Sequence, residues 1–353
     1  MAVDVAGEVC RHTGRQMCPR CSWTRPREAA LLVVRGRTAR TAFPVALVVG
    51  TVLSLVNQGT TIVADTGTTS TWVRVAVNYA VPFIVASVGY LAGRRTSADA
   101  TPWPRYLARY HDARPGITEL LLEQATDRRA EQPYEWLLEP LPGRHAVILD
   151  LACGSAPTRE LLPDARWLGV DFSAGELALA MAAGRGPVVR GRVERLPIGE
   201  NAVGAVCAAM CLQVLTPLDA VLAEVKRVLR PGGTLVALVP SRMWFGRGLL
   251  GWWRVMRALG IRSQPWPNPD ARDALPKILR AHGFIVDTSE RRVFRREIGD
   301  PHAAALLLDG LYLPDIAPDR VEAARAALAS WALPGRWLPF PLRRVVAHLP
   351  VAG

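Results

Sequence analysis

Residues 147–161 read VILDLACGSAPTREL, and the fold of most of the chain turns on them. The apolar run interrupted only by Asp150 suits a buried strand, the small residues that follow suit a tight loop, and the segment from about 157 suits a short helix. A second acidic residue, Asp171, ends the next apolar stretch, WLGV at 167–170, about twenty residues beyond Asp150, the spacing at which a carboxylate meets a nucleoside ribose. A dinucleotide site needs G-x-G-x-x-G so that the backbone can approach a pyrophosphate. This loop reads A-C-G-S-A-P. The stretch therefore points to a nucleoside ligand and away from NAD.

Outward from this stretch, strands and helices alternate. Helical patterns at 105–113, 116–131 and 133–139 precede it; SAGELALAMAA follows WLGV, with Ser173 and Glu176 spaced as a capping box. Short VVR at 188–190 and the continuous apolar run 202–210 suit strands, the latter inside a parallel sheet. A helix is expected from a Thr216-Pro217 cap to Arg230, then a PGG turn and a buried strand at 234–240. The alternation predicts an α/β, doubly wound sheet with its ligand at the carboxyl ends of the strands.

Four blocks in order, VILDLACGSAP, WLGVDFSAGEL, VERLPIGENAVGAV and CLQVLTPLDAVLAEVKRVLRPGGTLVALVPS, resemble the class I S-adenosylmethionine-dependent methyltransferases of small-molecule type. The resemblance spans roughly 102–353 and implies a Rossmann-like seven-stranded methyltransferase sheet over 105–353, with FIVDTSE (284–290) and 338–350 as closing strands and a helix near 318–332 between them. It implies S-adenosyl-L-methionine as cofactor. Asp150, Ala152, Cys153 and Gly154 would line the methionine end, Asp171 would bind the ribose and Phe172 would flank the adenine. Val193 would offer its backbone to the adenine edge, and Met210 would close the pocket. The chain departs from the family at three places: Arg192 stands where an acidic residue is common, Val203-Gly204 replaces a Phe-Asp pair, and Ala156 replaces a glycine. Methyl transfer is an in-line displacement governed by positioning, so no catalytic residue is obligatory; Tyr106, Tyr110 and His111 are candidate bases or packing residues. No Asn-Pro-Pro-Tyr motif follows the fourth strand, which argues against methylation of DNA bases. A degenerate, binding-only domain is the alternative to an active enzyme.

The chain carries 43 Lys and Arg against 31 Asp and Glu, and half its residues are hydrophobic. No basic module is recognisable, and no nucleic-acid partner is expected. The hydrophobicity concentrates in two runs, 43–63 and 73–93, each near the length of a membrane span. Arg35, Arg37 and Arg40 precede the first, Arg94 and Arg95 follow the second, and the connection has no basic residue, which places both termini and the domain beyond on the cytoplasmic side of the inner membrane. The alternative is a pair of buried helices in a soluble domain. VVGTVLSLVNQG (48–59) with NYAVPFIVASVG (78–89) resembles the two-helix NrtS-type nitrate/nitrite transporter family over about 35–95, with Thr60 where an acidic residue is expected. That resemblance implies a transmembrane hairpin that assembles as a homo-oligomer. It also keeps open a transport protein whose methyltransferase-like domain is regulatory or degenerate. Residues 96–104 read as a linker and 1–34 as a basic tail in which Cys10, His12, Cys18 and Cys21 are candidate zinc ligands. The other three cysteines, 153, 207 and 211, lie in apolar runs and suggest no disulfide framework. SRMWFGRGLLGWWRVMRALGIRSQPW (241–266), with five tryptophan and phenylalanine residues among arginines, reads as a helical lid over the site or as a segment lying on the inner leaflet, and a lipid-like acceptor fits the latter.

Overall fold

The computed structural model describes residues 33, 36–63, 68–92, 103–141, 146–242 and 248–351. The candidate zinc ligands Cys10, His12, Cys18 and Cys21, and Trp244 and Phe245 of the tryptophan segment, lie outside the described residues. The chain divides into two units, 1–100 and 101–353.

The first unit holds helices α1 (Arg37–Val63) and α2 (Thr69–Ala92), both containing stretches long and apolar enough to cross a membrane, Ala42–Gly59 and Thr69–Gly89. They approach closely because Gly50 offers no side chain to the Tyr79 ring: a Cβ there would lie 2.4 Å from it. The polar residues of the two helices bind one another. The Asn78 amide donates to Ser54 Oγ (3.2 Å) and Gln58 Oε1 (3.1 Å), and Thr51 Oγ lies 3.0 Å from the Tyr79 hydroxyl. Val48, Leu55 and Val56 of α1 and Val73, Ile84 and Val85 of α2 are exposed.

The second unit is an α/β sheet. Its strands are β1 (Ala125–Thr126), β2 (Val147–Leu151), β3 (Arg166–Asp171), β4 (Val188–Arg190), β5 (Val203–Ala209), β6 (Leu229–Pro240), β7 (Ile285–Glu297) and β8 (Trp337–His348), in the order β1-β7-β8-β6-β5-β2-β3-β4. From β4 to β6 neighbours are parallel, whereas β8 runs antiparallel between β6 and β7. Ten helices among the described residues accompany it: α3 (Trp103–Ala113), α4 (Ile117–Glu123), α5 (Pro133–Leu138), α6 (Pro157–Leu161), α7 (Ala174–Ala182), α8 (Leu218–Val228), α9 (Leu249–Leu259), α10 (Asp270–Ala281), α11 (Pro301–Asp309) and α12 (Pro318–Ala329). Successive residues of a strand face opposite sides, so the central strands feed two cores. Leu149, Val206, Leu222 and Leu235 pack on one side, and Ile148, Trp136, Ala205 and Val236 on the other.

Four expectations are corrected. The sheet has eight strands rather than seven, because Ala125 and Thr126 pair with Arg296 and Arg295 at the β7 edge. The helix expected over 116–131 ends at Glu123 because the Asp127 carboxylate accepts from the amides of Arg129 (2.7 Å) and Glu131 (3.1 Å), closing a turn that competes with helix. Thr216 is no cap: α8 begins after Pro217 without a side-chain cap bond. Ser173 does cap α7, accepting from the Glu176 amide at 3.2 Å, but the Glu176 carboxylate is spent elsewhere, as the site explains.

Candidate active site

The β2 loop packs three residues into left-handed backbone: Ala152 (φ 53°), Gly154 (φ 55°) and Ala156 (φ 59°). Glycine adopts this conformation freely and alanine does so at a cost of roughly 1 kcal/mol or more, so the alanine at 156 does sit where the backbone is constrained. The turn lifts the loop over the carboxyl ends of β2 and β3. There a cleft opens, lined by Asp150, Ala152, Cys153, Gly154, Asp171, Phe172 and Met210 together with His111, Glu119, Glu176 and Tyr312.

The two carboxylates have different surroundings. Asp150 is 1% exposed; its Oδ2 accepts from the Thr158 hydroxyl, and its Oδ1 has no partner. Burial pushes this carboxyl up to about 7, against the pull of the Thr158 bond. Asp171 accepts from the Gly154 amide (2.9 Å, Oδ2) and the Ser173 amide (2.8 Å, Oδ1). Burial holds it above the ordinary carboxylate range while the two amides oppose the shift. Each Asp171 oxygen takes one amide and keeps a lone pair, the arrangement that can receive two vicinal hydroxyls.

Seven of the eight residues expected from the sequence thus share one cleft. The eighth, Val193, is buried in the sheet core beside Val170 and Leu196 and does not line the cleft wall, so only its main chain could serve the adenine edge. Arg192 bonds Glu194, its Nε 2.6 Å from Oε1. Cys153 is buried, and burial pushes its thiol well above the ordinary range, which leaves a neutral wall residue rather than a nucleophile. The described cysteines, 153, 207 and 211, are all free and buried.

Sequence reasoning did not assemble the opposite wall. Helix α3 carries His111, whose Nδ1 lies 2.8 Å from Glu176 Oε1 and whose Nε2 lies 3.0 Å from the Tyr312 hydroxyl. Glu176 Oε2 accepts from the Gly116 amide at 2.8 Å, which is why it does not complete the capping box. Each ring nitrogen of His111 thus has one partner, and the direction of the bond at Nε2 follows the ring's tautomer. Tyr106 and Tyr110 are packing residues: Tyr106 accepts from the Leu313 amide (2.7 Å), and Tyr110 donates to the Asp309 carbonyl (2.7 Å). Asp112 fastens the same helix to α7, accepting from Ser173 Oγ at 2.8 Å and the Gly175 amide at 3.2 Å. Glu176, His111 and Tyr312 form a hydrogen-bonded chain on the cleft wall.

The side chains fit a cationic amino-acid nucleoside. The orphaned, buried Asp150 Oδ1 suits an ammonium group, the Asp171 pair suits ribose hydroxyls, and the Phe172 ring suits a base. Among the described residues no cluster of three or more His, Cys, Asp or Glu side chains could hold a metal ion.

Comparison with known proteins follows this geometry. The family described as "Methyltransferase domain" matches residues 149–237. A malonyl-[acyl-carrier protein] O-methyltransferase of Alcanivorax borkumensis is 36% identical over 138 residues, 36% of this chain and 46% of that protein, so the match spans less than half of that relative. A demethylmenaquinone methyltransferase of Mycobacterium tuberculosis is 34% identical over 171 residues, 47% of this chain and 71% of that protein. Among solved structures, a SAM-dependent methyltransferase from Aquifex aeolicus aligns with 66% of this chain and 96% of its own at 14% identity, with a TM-score of 0.40.

Proposed function

The chain belongs to the class I S-adenosylmethionine-dependent methyltransferases, and on that premise we propose that it methylates a small-molecule or lipid-like acceptor while tethered to the inner membrane by its two-helix hairpin. When bound, S-adenosyl-L-methionine supplies an electrophilic methyl group on a sulfonium. Asp150 would hold the ammonium of its methionine end, with the Ala152, Cys153 and Gly154 loop beside it. Asp171 would take both ribose hydroxyls, Phe172 would flank the adenine with the Val193 main chain at its edge, and Met210 would close the pocket. Positioning is the protein's main contribution to such a displacement. For an acceptor that must lose a proton, Tyr312 and His111 offer a route outward.

The observation that carries this reading is Asp150 Oδ1: a buried carboxylate oxygen without a partner, in the cleft that Asp171 also lines. Burying such an atom is costly unless a ligand completes it. Calorimetric titration of S-adenosylmethionine into the full chain in detergent micelles, beside Asp171→Ala, tests it. Micromolar binding that weakens roughly tenfold or more in the variant, about 1.4 kcal/mol, is the expected result; equal affinity in both would remove Asp171 from the site.

For the hairpin we infer an anchor that also joins copies of the chain, with both termini and the catalytic unit cytoplasmic. Exposed apolar side chains on both helices support membrane burial. The mutual bonding of Asn78, Ser54 and Gln58 favours helix contact over a nitrate or nitrite path. Nitrate uptake by vesicles holding the chain, unchanged by Gln58→Leu or absent altogether, is the outcome expected of an anchor.

A further inference from the structure

A second cavity of about 500 Å³ adjoins the cofactor cleft, and Thr118, Met210 and Tyr312 line both. Its remaining wall comes from α4, α9, the carboxyl ends of β5 and β6, the residues following α11, and β8. The lining is largely hydrocarbon and aromatic: Leu121, Leu122, Trp252, Met256, Leu307 and Phe340 among others. Water gains little in such a space, whereas an apolar body of matching size leaves water favourably.

The polar atoms set into this wall are specific. Gln213 Oε1, Ser241 Oγ and both amide atoms of Gln264 are buried without a hydrogen-bond partner, and all three residues line the cavity. Gln213 is 1% exposed and Ser241 6%. The Gln213 amide nitrogen is already committed to the Met210 carbonyl at 2.6 Å, which leaves Oε1 as an oriented acceptor beside the residue shared with the cleft. Leaving a buried amide or hydroxyl unsatisfied costs about 1–3 kcal/mol, so a ligand that completes them is strongly preferred to one that does not.

The charge of the occupant follows from what the wall lacks. Among the described residues no Asp or Glu lines the cavity, so a cation finds no counter-charge there. The aromatic faces are partly taken, Trp253 by the Arg257 guanidinium at 5.0 Å and Trp252 by the Phe340 ring at 6.0 Å. Arg272 pairs with Asp273, which it shares with Arg242 (Nη2 and Nε each 2.8 Å from Oδ2), and Arg262 is exposed; the basic groups are thus paired or hydrated, while the buried atoms of this wall left without partners are all neutral.

We propose that this cavity is the methyl-acceptor site and that it takes a neutral, mainly apolar molecule whose hydroxyl or similar donor is read by Gln213, with Ser241 and Gln264 completing its remaining polar edge. The proposal rests on the methyltransferase reading above and names the class of acceptor for it.

The test uses 4-hydroxybenzophenone, a neutral apolar phenol that forms covalent bonds to nearby C–H groups on irradiation, with the full chain in micelles containing S-adenosylhomocysteine. Peptide mapping is expected to find the label on α9, at or beside Met256. Leu311→Trp, which fills the cavity, should reduce labelling at least tenfold, and Gln213→Leu roughly fivefold or more, while both variants still bind S-adenosylhomocysteine in calorimetry, which shows that they are folded. Ser241→Ala provides a milder second removal of a polar partner. Benzophenone-4-carboxylate and a trimethylammonium analogue should label at least tenfold less. Label found only on the hairpin or the outer surface, label indifferent to Leu311→Trp, or charged analogues that label as well as the phenol would overturn the proposal. Failure of the wild-type chain to bind S-adenosylhomocysteine would instead strike the cofactor reading, and the labelling map is scored independently of it.

Discussion

His111 reaches Glu176 across 65 residues of sequence, Nδ1 to Oε1 at 2.8 Å, and this bond fastens helix α3 to the first turn of α7. The same carboxyl group holds the Gly116 amide, so α3, α7 and the turn before α4 meet at one buried side chain on the cleft wall.

Replacing that side chain separates its two roles. Glu176→Ala strands a buried amide and an imidazole N–H and should lower unfolding stability by about 2–3 kcal/mol in urea titration. Glu176→Gln keeps an acceptor for Gly116 and should lose less than half as much. Equal losses in the two variants would mean that charge, not the bond to Gly116, matters.

The raised Asp150 carboxyl makes stability depend on pH with a definite sign. Its folded value of about 7 lies above the unfolded value near 3.9. Its contribution is fully present below about pH 4 and is lost as pH rises through 7, because the folded state holds the proton longer. Between pH 5 and 8 the cofactor-free protein should lose on the order of 2–4 kcal/mol from this group, and Asp150→Asn should remove that part of the slope. S-adenosylmethionine affinity should rise over pH 6 to 8 in the wild type, because the ionised form pairs with an ammonium, and stay flat in Asp150→Asn. Urea titrations and calorimetry at matched pH values check both.

Ala152 holds φ 53° and, though packed against one core, is only partly buried, so its methyl contact offsets the strained backbone only in part. Ala152→Gly should raise stability by ~1 kcal/mol, read as a higher urea midpoint with an unchanged slope. A lower midpoint would show that the methyl contact outweighs the backbone term.

In the hairpin, a methyl group at Gly50 would overlap the Tyr79 ring at 2.4 Å, whereas one at Gly59 meets nothing within 4 Å. Gly50→Ala should therefore lower the thermal midpoint of the hairpin in micelles by several degrees, and Gly59→Ala should leave it where it was. Circular dichroism melts of the two variants side by side distinguish close helix packing from simple co-insertion.

What could be read in advance was what is local. Asp150, the loop to Gly154, Asp171 and Phe172 lie within one strand-loop-helix-strand stretch, and spacing alone brings them together. Tyr312 joins His111 from 201 residues away, and no periodicity records that meeting. Glu176 carried a capping pattern whose reciprocal half was forfeited, because the Ser173 amide is committed to Asp171 Oδ1 at 2.8 Å and Glu176 is left to Gly116 and His111. Helix α10 escaped notice because Pro276 interrupts its pattern, with non-helical backbone at Ala274. Helix α11 also went unread, although its start was legible: Asp300 accepts from the Ala303 amide at 2.7 Å just before Pro301. The edge strand β1 is two residues long, below what alternation can signal.

The insertion of β8 between β6 and β7 has a consequence for biosynthesis. Strand β7 leaves the ribosome before the neighbour that links it to the rest of the sheet exists. Until residues 337–348 have been made, β6 presents an unpaired edge over Thr234–Pro240, and its Val236 and Leu238 lack the Leu342 and Val346 side chains they pack with. A nascent chain stalled before Trp337 would thus hold every parallel strand of the sheet and still expose that edge, a state open to proteolysis and to pairing with another chain.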